Sequence, residues 1–507
     1  MNDLSNFFGP AVDWLAISPL LSLLAGALTL LLVGSLTGQW PWRLYAHLTA
    51  LSAVIAIAIS IRLWGDVGTN GARLLIGGAL ALDQFALFAA IAICLAIALV
   101  SYLTSDYLNR EGVDLPEIYA LYLTAGIGAL VMIASNDLVV LFLGLETLGL
   151  SLYLLAASNR RQVSSQEAGL KYFILGGFAS AFFLYGVALV YGVTGSTRLI
   201  NLNAALTSYI PVPRNDAVLL IGIGMILIGF AFKVSLVPFQ AWTPDVYQGA
   251  PTPTTAFVAS VGKIAALVAL VRVFVVAFPS RSDDWGTIVF VLSALTLVVG
   301  SVVAVVQTNV KRMLAYSSIS HAGFILVGLE AASHRASANV DDGLVGVAVY
   351  VVLYAAMVVG TFGVVTVVTS DQANSDASGS ASLDSFKGLA KSQPLLGLAM
   401  TVLLLAQAGM PLTSGFVAKF GVIQAAVAVG SYELAVIAMV CAVIAAFVYL
   451  RIMVSMWLAD PSDSTTVKVP PLSRISIAVA VAVTLVTGFL PSLILDLGSN
   501  LAELASK

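Results

Sequence analysis

Phe232-Lys233-Val234-Ser235-Leu236-Val237-Pro238-Phe239-Gln240-Ala241-Trp242-Thr243-Pro244-Asp245 lies in a run, Ala217 to Tyr247, that stays largely apolar for about 31 residues. As one helix the run would measure about 46 Å at 1.5 Å per residue, well beyond the roughly 30 Å hydrocarbon core of a bilayer. It also contains a lysine and two prolines. Pro238 removes the hydrogen bond to the carbonyl of Val234 and its ring clashes there, so the run reads as a membrane helix broken beside Lys233. A second segment, Pro394 to Val429, carries Gly409, Pro411 and Gly415 at its centre and Lys419 about two turns past Pro411. Irregular backbone at membrane depth survives only where protein or a water-filled cavity satisfies it, so two breaks imply two hydrated sites.

The rest of the chain agrees with a membrane setting. Of 507 residues 60% are hydrophobic and 10% charged, against about 25% charged in soluble domains, which excludes a water-soluble fold. About fourteen apolar spans fit between Leu15 and Leu495, the first too long and uninterrupted for a cleaved signal peptide. Spans four to eight and nine to thirteen form two blocks of five, each with its fourth member broken. An odd number of crossings makes the second block enter from the opposite face, the pattern of an inverted repeat. The expected fold is an all-α polytopic membrane protein: residues 1–115 a three-helix segment, 116–278 and 279–457 two inverted five-helix repeats, 458–507 a C-terminal helix. Asp371 to Ser385, rich in Ser, Ala, Gly and Asp, is expected to be a mobile loop.

Loops after odd-numbered spans hold nine Lys or Arg, Lys311 and Arg312 among them, and loops after even-numbered spans hold six. Basic residues collect on the cytoplasmic side, which puts both termini outside the cytoplasm. Abundant Ala and Val with few lysines points to a bacterial plasma membrane. A net charge of -3 without a basic block offers nothing to nucleic acid. Cys94 and Cys441 lie far apart, and His47, His321 and His334 fall in separate regions. No disulfide framework, zinc site, iron-sulfur site or paired-histidine haem site follows from that set, and no phosphate-binding loop is visible. The chain is expected to carry no metal or redox cofactor of its own.

Charges inside the spans therefore carry the chemistry. Lys171, Lys233, Lys263 and Lys419 fall within membrane segments and Glu146 at the middle of span five. Five such charges, unpaired, would cost about 12 to 17 kcal/mol on insertion scales, so pairing, water or neutralisation must offset them. A buried lysine can lose its proton, and a nearby carboxylate restores it, which makes a Lys beside a Glu a switchable proton site. Glu146 and Lys233 are expected to pair across spans five and seven. Plainer readings stand beside this one: a structural ion pair for Glu146, snorkelling of Lys171 and Lys419 to the surface, a polar core residue for His321. Arg272 and Arg451 read as snorkelling at span ends.

Phe142-Leu143-Gly144-Leu145-Glu146, Glu167-Ala168-Gly169-Leu170-Lys171 and the Phe232 to Pro253 stretch resemble the antiporter-like subunits of respiratory complex I. Trp242-Thr243-Pro244-Asp245-Val246-Tyr247-Gln248-Gly249-Ala250-Pro251, the run Ala315 to Gly323 around His321, and Gly409 to Phe420 are most similar to the N type, called subunit 2 in mitochondria. The similarity runs from about Pro116 to Trp457. It implies a proton-translocating membrane subunit of NADH:quinone oxidoreductase, with flavin and iron-sulfur clusters in partner subunits. The implied partners are other membrane and peripheral subunits, another antiporter-like subunit among them. By the same resemblance Glu146 and Lys233 form the pair at the first break, Lys171 continues the track, Lys263 is the central relay and Lys419 faces the second break. The family commonly has histidine where this chain has Gln240. Two rivals remain: a subunit of a multi-subunit sodium/proton antiporter, and a scaffold with static charge pairs.

Overall fold

The computed structural model describes residues 12–36, 40–113, 115–207, 216–334, 340–370, 381–460 and 468–499. Residues 371–380 of the expected loop, and Arg214 and Arg335 of the charge tally, lie outside them. The chain opens with α1 (Ser18–Leu36) and α2 (Trp42–Asn70), then a small antiparallel hairpin of β1 (Arg73–Leu75) and β2 (Leu80–Leu82). There follow α3 (Gln84–Glu111), α4 (Pro116–Ala134), α5 (Leu138–Ala156), α6 (Val163–Thr194), the short α7 (Leu199–Thr207), α8 (Asp216–Val234) and α9 (Trp242–Gly249). One span, Thr252–Ala277, comprises α10 (Thr252–Phe257), a π-turn (Val258–Gly262), α11 (Lys263–Arg272) and a second π-turn (Val273–Ala277). Beyond it lie α12 (Ser282–Val305), α13 (Val310–Ala331), α14 (Val340–Ser370), the single-turn α15 (Leu389–Ser392), α16 (Pro394–Ala408), α17 (Ser414–Ala428), α18 (Tyr432–Leu458), α19 (Pro471–Phe489) and α20 (Ser492–Ser499).

Among the described residues twelve helices are long and apolar enough to cross a membrane. α1 and the interrupted pair α16 and α17 are also apolar, which accounts for the two further spans read from the sequence. Several starts follow from local sequence: Asp83 accepts from the Ala86 N–H, Asp137 from those of Val139 and Val140, and Asn309 from that of Arg312, each filling a first-turn orphan donor.

Both breaks are built alike. At the first, Ser235 takes φ 70°, with Ser235 N–H donating to Phe232 O and Leu236 N–H to Ala231 O. At the second, Gly409 takes φ 90°, with Gly409 N–H donating to Ala406 O and Met410 N–H to Leu405 O. This paired pattern is a Schellman ending. It corrects the reading of Pro238: α8 has ended at Val234, four residues before the proline, which is exposed in the turn between α8 and α9. The proline removes no hydrogen bond from a running helix.

The breaks recur in matching surroundings. α4 packs on α5 as α12 packs on α13, and α6 meets α8 and α9 as α14 meets α17 and α16. The spans that carry Lys263 and His321 lie inside. The apolar stretch of Thr252–Ala277 is buried throughout and that of Val310–Ala331 to 94%, whereas those of α6 and α18 are buried to 39% and present their remaining apolar surface outward. Lys263 directly follows one π-turn of its span and Arg272 directly precedes the other; such turns shift the helix face by one residue and re-aim side chains.

Candidate functional site

Lys233 lies in the last turn of α8, buried, with Nζ 3.2 Å from Tyr153 Oη and 5.0 and 5.8 Å from the ring centres of Tyr153 and Tyr172. A desolvated cation over aromatic faces gains about 2 kcal/mol. The half-buried Glu146 carboxylate accepts the Ser180 hydroxyl from α6. The two charges do not touch: among the described residues no ion pair joins Glu146 and Lys233, because Tyr153 has taken the amine. Lys233 still reaches the part of α5 that carries Glu146. A Cβ at Gly149 would stand 2.8 Å from Lys233 Nζ and 3.2 Å from Tyr153 Oη, and Gly149 is one turn, about 4.5 Å of rise, from Glu146.

Gly149 thus holds open the space the amine occupies. In Gly149→Ala the assembled protein should keep its stability to within about 1 kcal/mol, since the obstructed atom is the free end of a flexible chain and alanine favours helix. Any activity that passes through Lys233 should fall several-fold, by about 1 kcal/mol of barrier. Gly177→Ala on α6, where a Cβ meets nothing within 4 Å, is the matched control. Equal activity per assembled protein in the two variants would remove Lys233 from the working track.

Lys263 begins a second cluster. Its Nζ donates to Ser318 O at 2.5 Å and lies 6.0 Å from the Tyr354 ring. The Tyr354 hydroxyl donates to Ser318 Oγ at 2.7 Å, and Tyr247 Oη is 3.3 Å from the same oxygen. One turn along α13, the His321 ring lies 4.9 Å from the Tyr354 ring, with Nδ1 2.7 Å from Tyr350 Oη and Nε2 3.2 Å from Tyr449 Oη. Tyr449 Oη is 2.5 Å from Ser317 Oγ, which reaches Gln407 Oε1 at 3.5 Å. Gln407 Nε2 donates to Thr361 Oγ1 at 2.6 Å. At the far end Lys419 Nζ donates to Gln407 O at 2.9 Å and Ala408 O at 3.0 Å. These are the last carbonyls of α16, where the half-helix dipole is negative and the oxygens lack helical partners.

Lys263, His321 and Lys419 therefore lie in one buried cluster, in which the Tyr354 ring contact joins the Ser318 group to His321. Both ring nitrogens of His321 have tyrosine partners, as a satisfied core residue would, and the ring stands between the groups that hold the two lysines. Among the described residues no carboxylate is in ion-pair contact with Lys233, Lys263 or Lys419. Carbonyls, hydroxyls and ring faces hold them instead. Between the Lys233 and Lys263 clusters stands an aromatic wall, with Tyr172 stacked on Trp242 at 4.4 Å, Phe232 5.4 Å from Trp242, and Trp242 6.4 Å from Tyr247.

Lys171 is elsewhere. It is 43% exposed and bridges Glu167 at 2.7 Å and Asp245 at 2.9 Å, and Asp245 in turn holds Arg312 at 2.9 Å. The half-exposed network ties α6, α9 and α13 at one membrane face. Gln240 is half-buried, and its Oε1 is closed off without a hydrogen bond from the described residues.

Three side chains depart from their sequence readings. Lys311, counted above as a loop cation, is 6% exposed and donates to Ala250 O at 2.7 Å, at the C-terminal end of α9. Arg272 does not snorkel: it is 7% exposed and grips Asp83 at 2.6 and 2.8 Å. Arg451 caps α12 through Val305 O and Gln307 O, each at 2.9 Å. The tyrosines of the network and Gln407 also went unread, since a single tyrosine or amide in an apolar span has no spacing that sets it apart from packing.

The family model described as NADH:quinone oxidoreductase/Mrp antiporter, TM matches residues 135–445. The chain is 40% identical to NADH-quinone oxidoreductase subunit N of Salinispora arenicola, over 97% of this chain and 98% of the relative. It superposes with TM-score 0.77 and 31% identity on a chain of respiratory complex I from Thermus thermophilus with bound aureothin, covering 94% of this chain and 98% of that one. A chain of the Mrp complex from Dietzia sp. DQ12-45-1b gives TM-score 0.82 at 21% identity, with 96% of each covered, a likeness of fold alone. Near-complete end-to-end similarity on one side and a shared fold on the other resolve the position of the sequence: the chain belongs to the NADH:quinone oxidoreductase/Mrp antiporter family, in its NADH-quinone oxidoreductase subunit N branch.

Proposed function

We propose that this chain is the N-type membrane subunit of a proton-pumping NADH:quinone oxidoreductase and that it moves protons through Glu146, Lys233, Lys263, His321 and Lys419 without electron transfer of its own. The observation that carries the reading is the buried network from Lys263 through Ser318, His321, Tyr449 and Gln407 to Lys419. Amines held by carbonyls and hydroxyls, without a fixed counter-charge, can gain and lose protons where an ion-paired group would be pinned. Hydroxyl and imidazole groups between them both donate and accept. Lys171, fixed by two carboxylates at the surface, belongs to the proposal as the rim of the track.

In this reading residues 116–278 and 279–457 are the two inverted repeats, flanked by 1–115 and 458–507; their matching Schellman breaks and matching helix contacts support it. The flavin and iron-sulfur clusters reside in partner subunits, and the neighbours in the membrane include another antiporter-like subunit. The chain sits in a bacterial plasma membrane with both termini on the non-cytoplasmic side, so the face with Lys171, Asp245 and Arg312 is cytoplasmic.

Purification through a tag on this chain should yield flavin and iron-sulfur subunits, and sealed vesicles of that complex should take up protons when NADH reduces quinone. Lys419→Met, which keeps the volume and removes the amine, should preserve assembly and lower proton uptake per assembled complex by about tenfold. Recovery of this chain without redox subunits, in vesicles that exchange sodium for protons unaided, would establish the independent antiporter instead.

A further inference from the structure

Glu330 is a buried carboxylate that the track does not use. It stands in the last turn of α13, at the end away from Arg312, with a side chain 5% exposed. Oε1 accepts the Ser431 hydroxyl at 3.0 Å and lies 2.9 Å from Nε2 of His334. Oε2 is buried with no hydrogen-bond partner among the described residues. A carboxylate oxygen closed off in this way costs free energy unless it is protonated or met by a transient donor. The two sides of the carboxyl differ. Oε1 leads to the surface, because the imidazole that contacts it is 42% exposed, and Oε2 faces the protein.

The surrounding elements also aim inward. Ser431 lies in the turn after α17, the helix that carries Lys419. α13, α14 and α17 meet closely around Gly328, where a Cβ would stand 2.8 Å from Val347 and 3.0 Å from Val422. Lys419 Nζ itself lies 4.8 Å from the Phe324 ring of α13. Between the Lys419 amine and Glu330 the contacts named are thus apolar, and the carboxyl is the first titratable group beyond them on this helix. Other charged groups on elements packed against this end of α13 are Asp283 and Asp284 in the first turn of α12, Asp342 at the start of α14 and Glu433 at the start of α18. Arg281 is engaged with Asp216 and Asp284.

We propose that Glu330 and His334 form a proton-transfer site at the membrane face opposite Arg312, through which protons pass between the lysine track and outside water. The inference rests on the proton-translocating reading above. A proton reaching Oε2 makes the neutral carboxyl. The carboxyl turns so that its protonated oxygen meets unprotonated Nε2 and passes the proton there, and the half-exposed imidazolium swings to water, releases that Nε2 proton and returns as the starting Nδ1–H tautomer. Glu330 ends as carboxylate and one proton has left. Ser431 holds Oε1 in register with the imidazole.

The test uses the assembled complex in sealed vesicles, with trapped buffer setting the pH at the Glu330 face. Glu330→Gln keeps the shape and removes the titratable group; quinone-coupled NADH oxidation and proton transport should fall together by about tenfold or more, with part retained in Glu330→Asp. His334→Gln should flatten the dependence of the rate on pH at that face, which a purely structural contact would leave alone. Wild-type rates and proton yield in Glu330→Gln, or an unchanged outer pH profile in His334→Gln, overturn the proposal. Should Glu330→Gln not assemble, the His334→Gln profile decides. A normal Lys263→Met would remove the underlying proton reading, whereas a defective Lys263→Met beside a normal Glu330→Gln removes this site alone.

Discussion

Lys263→Met should assemble to wild-type levels and lose most of its coupled turnover, with NADH oxidation and proton uptake in sealed vesicles both reduced by about tenfold or more. Lys263 is central to the buried cluster: among the described residues its one hydrogen bond is to Ser318 O, and it lies beside the Tyr354 ring, whose hydroxyl meets that of Ser318. Methionine nearly conserves the volume, so packing is disturbed little, and removing an unpaired buried charge relieves a desolvation cost instead of adding one. Stability is therefore expected to hold or rise while transport fails. Lys263→Arg tests the other half of the argument. It keeps a positive charge within reach of Ser318 but cannot release its proton at accessible pH, so it should fail like the neutral variant. Wild-type rates and proton stoichiometry in both variants would favour the static-scaffold reading. Poor assembly with normal activity per complex would point the same way.

Much of this arrangement was legible before any coordinates, for a physical reason. A charge in a membrane span is costly, so each of Glu146, Lys233, Lys263 and Lys419 announced itself by mere position. The two breaks were equally visible, because a run too long for the bilayer that holds proline and glycine cannot remain one helix. The sequence misjudged how the first break is made. Proline is conspicuous, but the helix ends at Ser235, a residue with no standing preference for positive φ, where the Schellman hydrogen bonds and the Ser235 hydroxyl contact with Thr243 at 2.6 Å hold it. Lys233 and Glu146 were expected to pair, since a carboxylate is the obvious partner for an amine, and among the described residues no direct ion pair joins them. Tyr153, seven residues from Glu146 on the same helix face, competes for that amine with both its hydroxyl and its ring.

Partners distant in sequence stayed hidden for a different reason. Lys311 looked like a loop cation because it sits at the first turn of α13 beside Arg312, and only the arrival of the α9 terminus over it makes it a buried cap. Nothing near Glu330 in the sequence sets it apart, and the hydroxyl that meets it belongs to Ser431, 101 residues away. Burial of a span end depends on which loops fold onto it, and hydrophobic periodicity within the span holds no record of that.

Asp83→Asn should be the most damaging single change to stability, on the order of 3 to 5 kcal/mol, because it leaves the Arg272 guanidinium buried without its counter-charge. The pair is nearly inaccessible, with side chains 7% and 5% exposed, and Arg272 Nε also donates to Ile133 O at 2.8 Å. One contact thus joins the start of α3, the end of α4 and the π-turned end of the central span. Asparagine can still accept from the Ala86 N–H, so Asp83→Asn isolates the charge, while Asp83→Ala should cost about 1 kcal/mol more through the lost helix cap. Arg272→Met strands the carboxylate and should be comparably harmful. The double variant Asp83→Asn, Arg272→Met removes both charges and should recover most of the loss, a coupling of 2 kcal/mol or more on the scale of roughly 0.5 to 3 kcal/mol seen for contacting residues. Thermal melting of the purified complex and its yield supply the readout, and single variants that melt with the wild type would show the pair to be dispensable. Activity per assembled complex should stay near wild type throughout, because arginine holds its proton and a bidentate ion pair fixes it in place. In the proposed track the lysines without a carboxylate partner among the described residues, Lys233, Lys263 and Lys419, stand where a charge must come and go, and Arg272, gripped by Asp83, stands where one must stay.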